Sequence, residues 1–334
     1  MKTVLLTGVT GFIAKRIALD LLEDGYMVRG SLRSKGRSNE VLDALRDKLS
    51  EPDLLDRLSF VELDLTSDDG WDAAMKGVDA LMHTASPFPM TNPDDPQSLV
   101  GPAVDGTLRA LRAAQKAGVS RVVLTSSVAA IYATDTQGGK FTETNWSEEG
   151  HPMMSPYALS KTKAERAAWD FVEKHPEMRL STINPVLVAG TPMDIHFGTS
   201  LEVIENILLG KDPFLPELGF GIVDVEDVSR AHLRAMELPE AIGKRFILHS
   251  GRMTMPEIGK TFKEAFPGCN ASTRTAPNML VRGLALFDKR ARAILPALGR
   301  VEHPDNSQAR KVLGIDFVPA KEALLRTGRF LNEA

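Results

Sequence analysis

The sequence predicts an α/β fold: a doubly wound parallel sheet covered by helices on both faces, with a smaller, mainly helical C-terminal part. Three observations predict it. Short apolar runs alternate with stretches of helical periodicity through most of the chain. A glycine-punctuated turn separates the first apolar run from the first helix. The 334 residues also exceed the ~250–300 at which a single core stops growing, so one large or two interlocked domains are expected.

The composition bounds the function classes. Hydrophobic residues make up 43% and charged residues 25%, ordinary values for a globular protein. A formal net charge of -4 gives no electrostatic case for nucleic acid or an anionic membrane as partner. Cys269 is the single cysteine, which excludes an intrachain disulfide framework and fits a reducing compartment. No window approaches the ~18–20 apolar residues of a membrane span. The opening Met1–Leu6 lacks a cleavage region and reads as a buried strand rather than a signal sequence. A cytoplasmic location is expected.

The first run, Val4–Thr7, is closed by Gly8-Val9-Thr10-Gly11-Phe12-Ile13-Ala14. Ile13, Ile17 and Leu21 then recur at helical spacing, and Gly25 is placed to end the helix. Tyr26–Leu32 is a second strand. Strand, glycine turn, helix and strand make a βαβ unit of the dinucleotide-binding, Rossmann type. Gly8 allows the tight turn, Gly11 lets a diphosphate approach the backbone, and Ala14 keeps the helix close to the strand. The unpaired N–H groups and dipole of the helix start then favour an anion.

The end of the second strand discriminates between cofactors. An NAD site places a carboxylate there for the ribose 2′-hydroxyl; a 2′-phosphate calls for cations. Arg33, Lys35 and Arg37 occupy the position with no carboxylate expected close by, which favours NADP. Leu58–Leu63 is a third strand, ending at Asp64-Leu65, candidates for contact with adenine. Ala80–Ser86 is a fourth, and its small terminal residues Thr84, Ala85 and Ser86 let a ligand lie against the backbone. His83 has no second ligand at metal spacing and reads as a satisfied buried histidine. A helix from about Gly101 to Ala117 precedes the fifth strand, Arg121–Ser127, whose serines lie where ligands bind in parallel sheets.

Ser155-Pro156-Tyr157-Ala158-Leu159-Ser160-Lys161 is the organising stretch. Ser155 and Pro156 read as N-cap and first helical residue. Tyr157 and Lys161, four apart, share one helix face, so the ammonium is expected to lower the phenol from its usual ~10.

In the second half, Leu180–Ile183 is a sixth strand leading to Asn184-Pro185-Val186. Residues 192–197 form an apolar loop, Leu201–Leu209 a helix, and Gly221–Val223 a short strand. Asp224 and Asp227 read as caps of the next helix, which runs towards Met236, rather than as metal ligands. Phe246–Leu248 is expected to return to the main sheet, and helices over 255–266, 279–298 and 306 to the end complete the chain. The predicted division is 1–188 with 221–249 for the dinucleotide-binding domain, and 189–220 with 250–334 for the substrate-binding domain.

Together these motifs resemble the extended short-chain dehydrogenase/reductase family. The branch most alike holds dihydroflavonol reductases, cinnamoyl-CoA reductases and yeast-type methylglyoxal, aldehyde and ketone reductases. Phe12-Ile13-Ala14, Val28–Arg33, His83-Thr84-Ala85-Ser86-Pro87, Tyr157–Lys161, Asn184-Pro185-Val186 and Val223–His232 carry the likeness, which is loose after about residue 250. It implies a catalytic set of Ser127, Tyr157 and Lys161, with Ser126 the neighbour if the register shifts by one. It implies that tyrosine exchanges the proton, lysine lowers the tyrosine pKa and binds the nicotinamide ribose, and serine holds the substrate oxygen. Pro185, Val186 and Val188 would border the nicotinamide.

Phe88, Pro89, Met90, Met153, Met154 and Phe197 are candidate walls of the carbonyl pocket. No cation cluster suited to a CoA diphosphate or nucleotide sugar stands among them. The expected activity is NADPH-dependent reduction of a small or hydrophobic aldehyde or ketone, by a monomer or homodimer and without a metal. The alternatives are an NAD-dependent nucleotide-sugar epimerase or dehydratase, and a non-catalytic NADP sensor on the same fold.

Overall fold

A computed structural model describes residues 1–86 and 97–333. In chain order the elements are β1 (Thr3–Thr7), α1 (Phe12–Glu23), β2 (Met27–Leu32), α2 (Ser38–Arg46), β3 (Leu58–Glu62), α3 (Trp71–Met75) and β4 (Ala80–His83). Then come α4 (Gln97–Lys116), β5 (Arg121–Thr125), β6 (Lys140–Phe141), α5 (Pro156–Lys174), β7 (Arg179–Pro185) and β8 (Leu187–Ala189). The chain continues with α6 (Thr199–Leu208), β9 (Gly219–Asp224), α7 (Val225–Glu237), β10 (Arg245–Leu248), β11 (Gly251–Thr254) and α8 (Met255–Ala265). It ends with α9 (Asn278–Leu284), α10 (Lys289–Ile294), β12 (His303–Pro304) and α11 (Ala320–Glu333).

Seven strands form one sheet in the order β10-β7-β5-β4-β1-β2-β3, every neighbouring pair parallel. Its strands are continuous apolar runs because both faces are covered. Along β1 the alternation is explicit: Val4 and Leu6 enter one core cluster and Leu5 the other. Helices α1 and α7 pack together on the first side, α4 and α5 on the second. The chain leaves β1 towards β2 on one flank and returns through β4 on the other. A crevice therefore opens beyond the carboxyl ends of β1 and β4, where ligands of such sheets bind.

The expected return of Phe246–Leu248 is β10, parallel to β7. The strand expected near Gly221 is longer and belongs to a second sheet, β11-β9-β8, with β9 antiparallel to β11 and parallel to β8. Helices α6, α8 and α11 pack on one another, and α11 also lies against β8, β9 and β11. Their Ile204, Ile258, Phe262 and Leu324 join the same cluster as the α1 face of the main sheet, so the core is continuous.

Some expectations change. Helix α4 starts before Gly101 and carries Pro102 inside its early turns. The helix expected over 279–298 is two short ones, α9 and α10, and the last predicted helix is broken by a π-turn at Ala309–Leu313 that ends on left-handed Gly314. Asp224 does cap α7, accepting from the Glu226 N–H at 2.8 Å, while Asp227 accepts from the Val318 N–H at 2.8 Å.

Candidate active site

The glycine turn fits a dinucleotide on observations of its own. Gly8 has φ +68°, and a Cβ there would lie 3.0 Å from Cα and Cβ of Ala85, so no side chain separates the ends of β1 and β4. Gly11 is the N-cap of α1 and supplies no side-chain acceptor, and the first turn holds no acidic residue. The N–H groups and positive end of α1 are thus left to a ligand. The end of β2 clamps the turn: Ser31 Oγ accepts from the Gly8 N–H at 3.1 Å, and Ser31 O from the Val9 N–H at 3.1 Å. Gly30 is a residue sequence reasoning missed here. A Cβ on it would meet Val9 Cγ1 at 2.8 Å. A glycine inside a strand signals such a close approach.

From this turn a cleft of about 260 Å³ runs across the strand ends. Gly8, Gly11, Phe12 and Ile13 line its start, Thr84 and Ser86 its floor, and Ser127, Tyr157 and Lys161 its far end, with Pro185, Val186, Val188 and Phe197 opposite. A second cavity of about 420 Å³ continues from there, sharing Ser127, Tyr157 and Val186. Its other walls include Val128, Tyr132, Met153, Val203, Phe220 and Glu302.

Helix α5 starts as its sequence dictates: Ser155 Oγ accepts from the Ala158 N–H at 3.1 Å and Pro156 is the first helical residue. Tyr157 and Lys161 follow one turn apart on the cleft side. Lys161 Nζ donates to the Thr125 carbonyl at 3.5 Å, and the Ser127 and Tyr157 hydroxyls are hydrogen-bonded. The two serines divide as strand alternation demands. Ser126 Oγ donates to Glu165 at 2.5 Å, whereas Ser127 caps the next turn from the cleft side, accepting from the Ala129 N–H at 3.1 Å. Burial pushes the Lys161 ammonium down to about 8, with Glu165 acting in the opposite direction. Burial also raises the Tyr157 phenol, against the hydrogen bond from Ser127. The lowering expected from Lys161 is therefore not realised, because desolvation of the phenolate outweighs the stabilising groups.

The profile of the NAD dependent epimerase/dehydratase family matches residues 4–248, from β1 to the last strand of the main sheet. The chain belongs to that family. Relatives match over nearly their whole length. The ketoreductase azaE of Aspergillus niger is 35% identical, with 95% of this chain and 93% of the relative covered. The NADPH-dependent methylglyoxal reductase GRE2 of Saccharomyces cerevisiae is 31% identical over 96% of both. The crystal structure of that yeast methylglyoxal/isovaleraldehyde reductase complexed with NADPH superposes with a TM-score of 0.81 at 31% identity, covering 99% of this chain and 98% of the other.

Within this family member, some expected contacts gather in the cleft and others do not. Ala85 meets the turn at Gly8. Thr10, Arg33, Lys35, Arg37, Asp64 and Leu65 lie off the cleft walls. Leu65 is buried with its side chain against Gly106 of α4. Asp64 accepts from Thr66 N–H and Oγ1 at 2.7 Å. The basic segment has carboxylates around it, contrary to expectation. Arg37 is paired with Glu40 at 2.7 Å, the Lys35 N–H donates to Glu62 at 3.3 Å, and Arg33 faces the field of Asp64. Glu40 stands three residues after Arg37, a spacing the sequence itself shows, whereas Glu62 and Asp64 arrive with β3. Among the described residues the Arg33 and Lys35 side chains make no hydrogen bond or ion pair, whereas Arg37 is engaged by Glu40.

Of the proposed pocket walls, Phe88, Pro89 and Met90 lie outside the described residues. Met154 lines neither cavity while its neighbour Met153 lines the second, and Phe197 borders the first. His83 is buried, with Nδ1 2.9 Å from Thr7 Oγ1. Glu40, Asp194 and His196 bring ligand atoms within 4.8 Å of one another, but the buried Lys15 ammonium is bonded to both carboxylates. That cation occupies the charge a metal would need.

Proposed function

We propose that the chain is an NADPH-dependent reductase of small or hydrophobic aldehydes and ketones. One observation carries the reading. The hydrogen-bonded Ser127 and Tyr157 hydroxyls stand where the cleft from the glycine turn meets a second, largely apolar cavity. A carbonyl carbon held there has a cofactor cleft on one side and room for its substituents on the other. The names of the relatives, a ketoreductase and an NADPH-dependent methylglyoxal reductase, support the same reading.

The turn from Gly8 to Ile13 would hold the diphosphate, Arg33 the 2′-phosphate, and Pro185, Val186 and Val188 the nicotinamide side of the cleft. Bound there, NADPH supplies hydride to the carbonyl carbon. Ser127 orients the carbonyl oxygen and donates to it. Tyr157, kept protonated by its burial, gives its proton to that oxygen as negative charge develops. Lys161 places a positive charge one helical turn away, which favours the phenolate that proton transfer leaves behind. The walls Val128, Met153, Val203 and Phe220 receive the apolar body of the substrate. In this reading 1–188 with 221–249 bind the dinucleotide, and 189–220 with 250–334 complete the substrate side. A cytoplasmic setting accords with the single, unpaired Cys269.

The test is loss of NADPH absorbance with a panel of aldehydes and ketones, on the wild type and on Tyr157→Phe. The variant is expected to lose roughly 10²–10⁴-fold in kcat with NADPH affinity nearly intact. Near-normal turnover would remove Tyr157 as the acid, and a wild type inert on every carbonyl would remove the reductase reading.

A further inference from the structure

We infer that Glu165 is a positioning residue of this active site: it fixes Ser127 relative to the Tyr157–Lys161 helix and sets a carboxylate one turn from Lys161. The inference rests on the reductase reading above. Glu165 lies on α5 one turn beyond Lys161 and two beyond Tyr157, hence on the same face. Its side chain is fully buried, yet each carboxylate oxygen is occupied. Oε2 accepts from Ser126 Oγ at 2.5 Å and Asn184 Nδ2 at 2.8 Å; Oε1 accepts from Arg245 Nε at 2.7 Å and Thr182 Oγ1 at 3.0 Å. One carboxylate thereby ties α5 to the ends of β5, β7 and β10. The same Asn184 amide donates to the Ser127 carbonyl at 3.2 Å, so the network reaches the serine that faces the cleft.

Packing alone does not call for a charge at this position, because a glutamine fills the same volume. Burial disfavours the ionised form of Glu165, but Arg245 and the hydrogen bonds from Ser126 and Asn184 outweigh it and hold its pKa below the usual carboxylate range. Arg245 is itself fixed, donating to the Glu143 and Asn145 carbonyls at 2.6 and 2.7 Å and lying 3.7 Å over the Trp146 ring. Glu165 and Lys161 line one small cavity together with Thr125, Ser126 and Ser86. Tyr157 on its own helix and His83 on β4, neutral down to about 3, are the other titratable groups towards Lys161, and Arg245 on β10 is paired with Glu165. Glu165 is thus the anion among them, and its field opposes the desolvation of the lysine.

The sign of the test follows. Lys161 acts as a cation and loses its proton as pH rises, so the alkaline limb of the kcat profile marks that loss. Removing the Glu165 charge makes the proton leave earlier. Profiles of kcat with saturating NADPH and one carbonyl substrate would be compared for wild type, Glu165→Gln, Glu165→Asp and the pair Glu165→Gln with Arg245→Gln. Glu165→Gln is expected to move the alkaline limb down by roughly one pH unit. Glu165→Asp keeps the charge, so its limb stays near the wild-type position while its plateau kcat falls through displaced contacts. Should Glu165→Gln fail to fold, the double variant leaves no unpaired buried ion and shifts the limb the same way by less, since Arg245 opposed the charge. Limbs that stay put in variants of lower kcat would overturn the inference and leave Glu165 a purely structural residue. A wild type without turnover on any carbonyl would overturn the reductase reading and this inference with it.

Discussion

The cofactor preference turns on how the three cations after β2 are engaged, and Arg33 is the one to perturb. Arg37 holds Glu40 at 2.7 Å, and Glu40 in turn holds the buried Lys15 at 2.8 Å, so reaching a phosphate would cost Arg37 an existing partner. Arg33 has no partner to surrender among the described residues. A hydrogen bond to a charged group is worth about 1.5–3 kcal/mol when well formed. Arg33 is exposed, so solvent screening reduces this to about 1–2 kcal/mol, or roughly 5–30-fold in Kd. Arg33→Ala should therefore weaken NADPH binding by about that factor and leave NADH binding unchanged. Arg37→Ala trades one ion pair for another and should cost about fivefold or less. Arg33→Asp adds repulsion and should turn the preference towards NADH. Fluorescence or calorimetric titration of both cofactors measures each effect without turnover. A ratio of NADPH to NADH affinity that stays constant in Arg33→Ala would refute the reasoning and move the 2′-phosphate to Lys35 or Arg37.

Two further outcomes follow from packing and titration. Gly30→Ala places a methyl group 2.8 Å from Val9 Cγ1 inside the glycine turn; overpacking should lower stability by about 1–3 kcal/mol and also weaken both cofactors, whereas intact cofactor affinity would show that the turn does not follow Val9. His232 is buried between Thr125 Oγ1 and the Val228 carbonyl, both at 2.7 Å, and burial lowers it to about 4; for His83, burial and then Lys161 lower it to about 3. Both folded values lie below the model-peptide ~6.5, so the unfolded chain takes up protons first and stability declines as pH falls from about 6.5 towards 4. Urea midpoints across that range should fall less steeply in His232→Asn, and an unchanged slope would show that His232 does not contribute.

Local sequence determined the parts that depend on near neighbours. The glycine turn, the Ser155–Pro156 start of α5 and the shared face of Tyr157 and Lys161 need only helix periodicity and backbone sterics, and the structure repeats them. The parallel sheet was legible because its strands are buried on both faces and therefore uniformly apolar. Distant partners decided the rest. Ser126 is held by Glu165, thirty-nine residues further on and brought there by α5 packing beside β7, while Ser127 caps the turn on the cleft side. The carboxylates beside Arg33 and Lys35, Asp64 and Glu62, arrive with β3. Tyr157 keeps a raised pKa because the tertiary fold removes water from it, and desolvation is a property of the assembled core that no spacing of residues encodes.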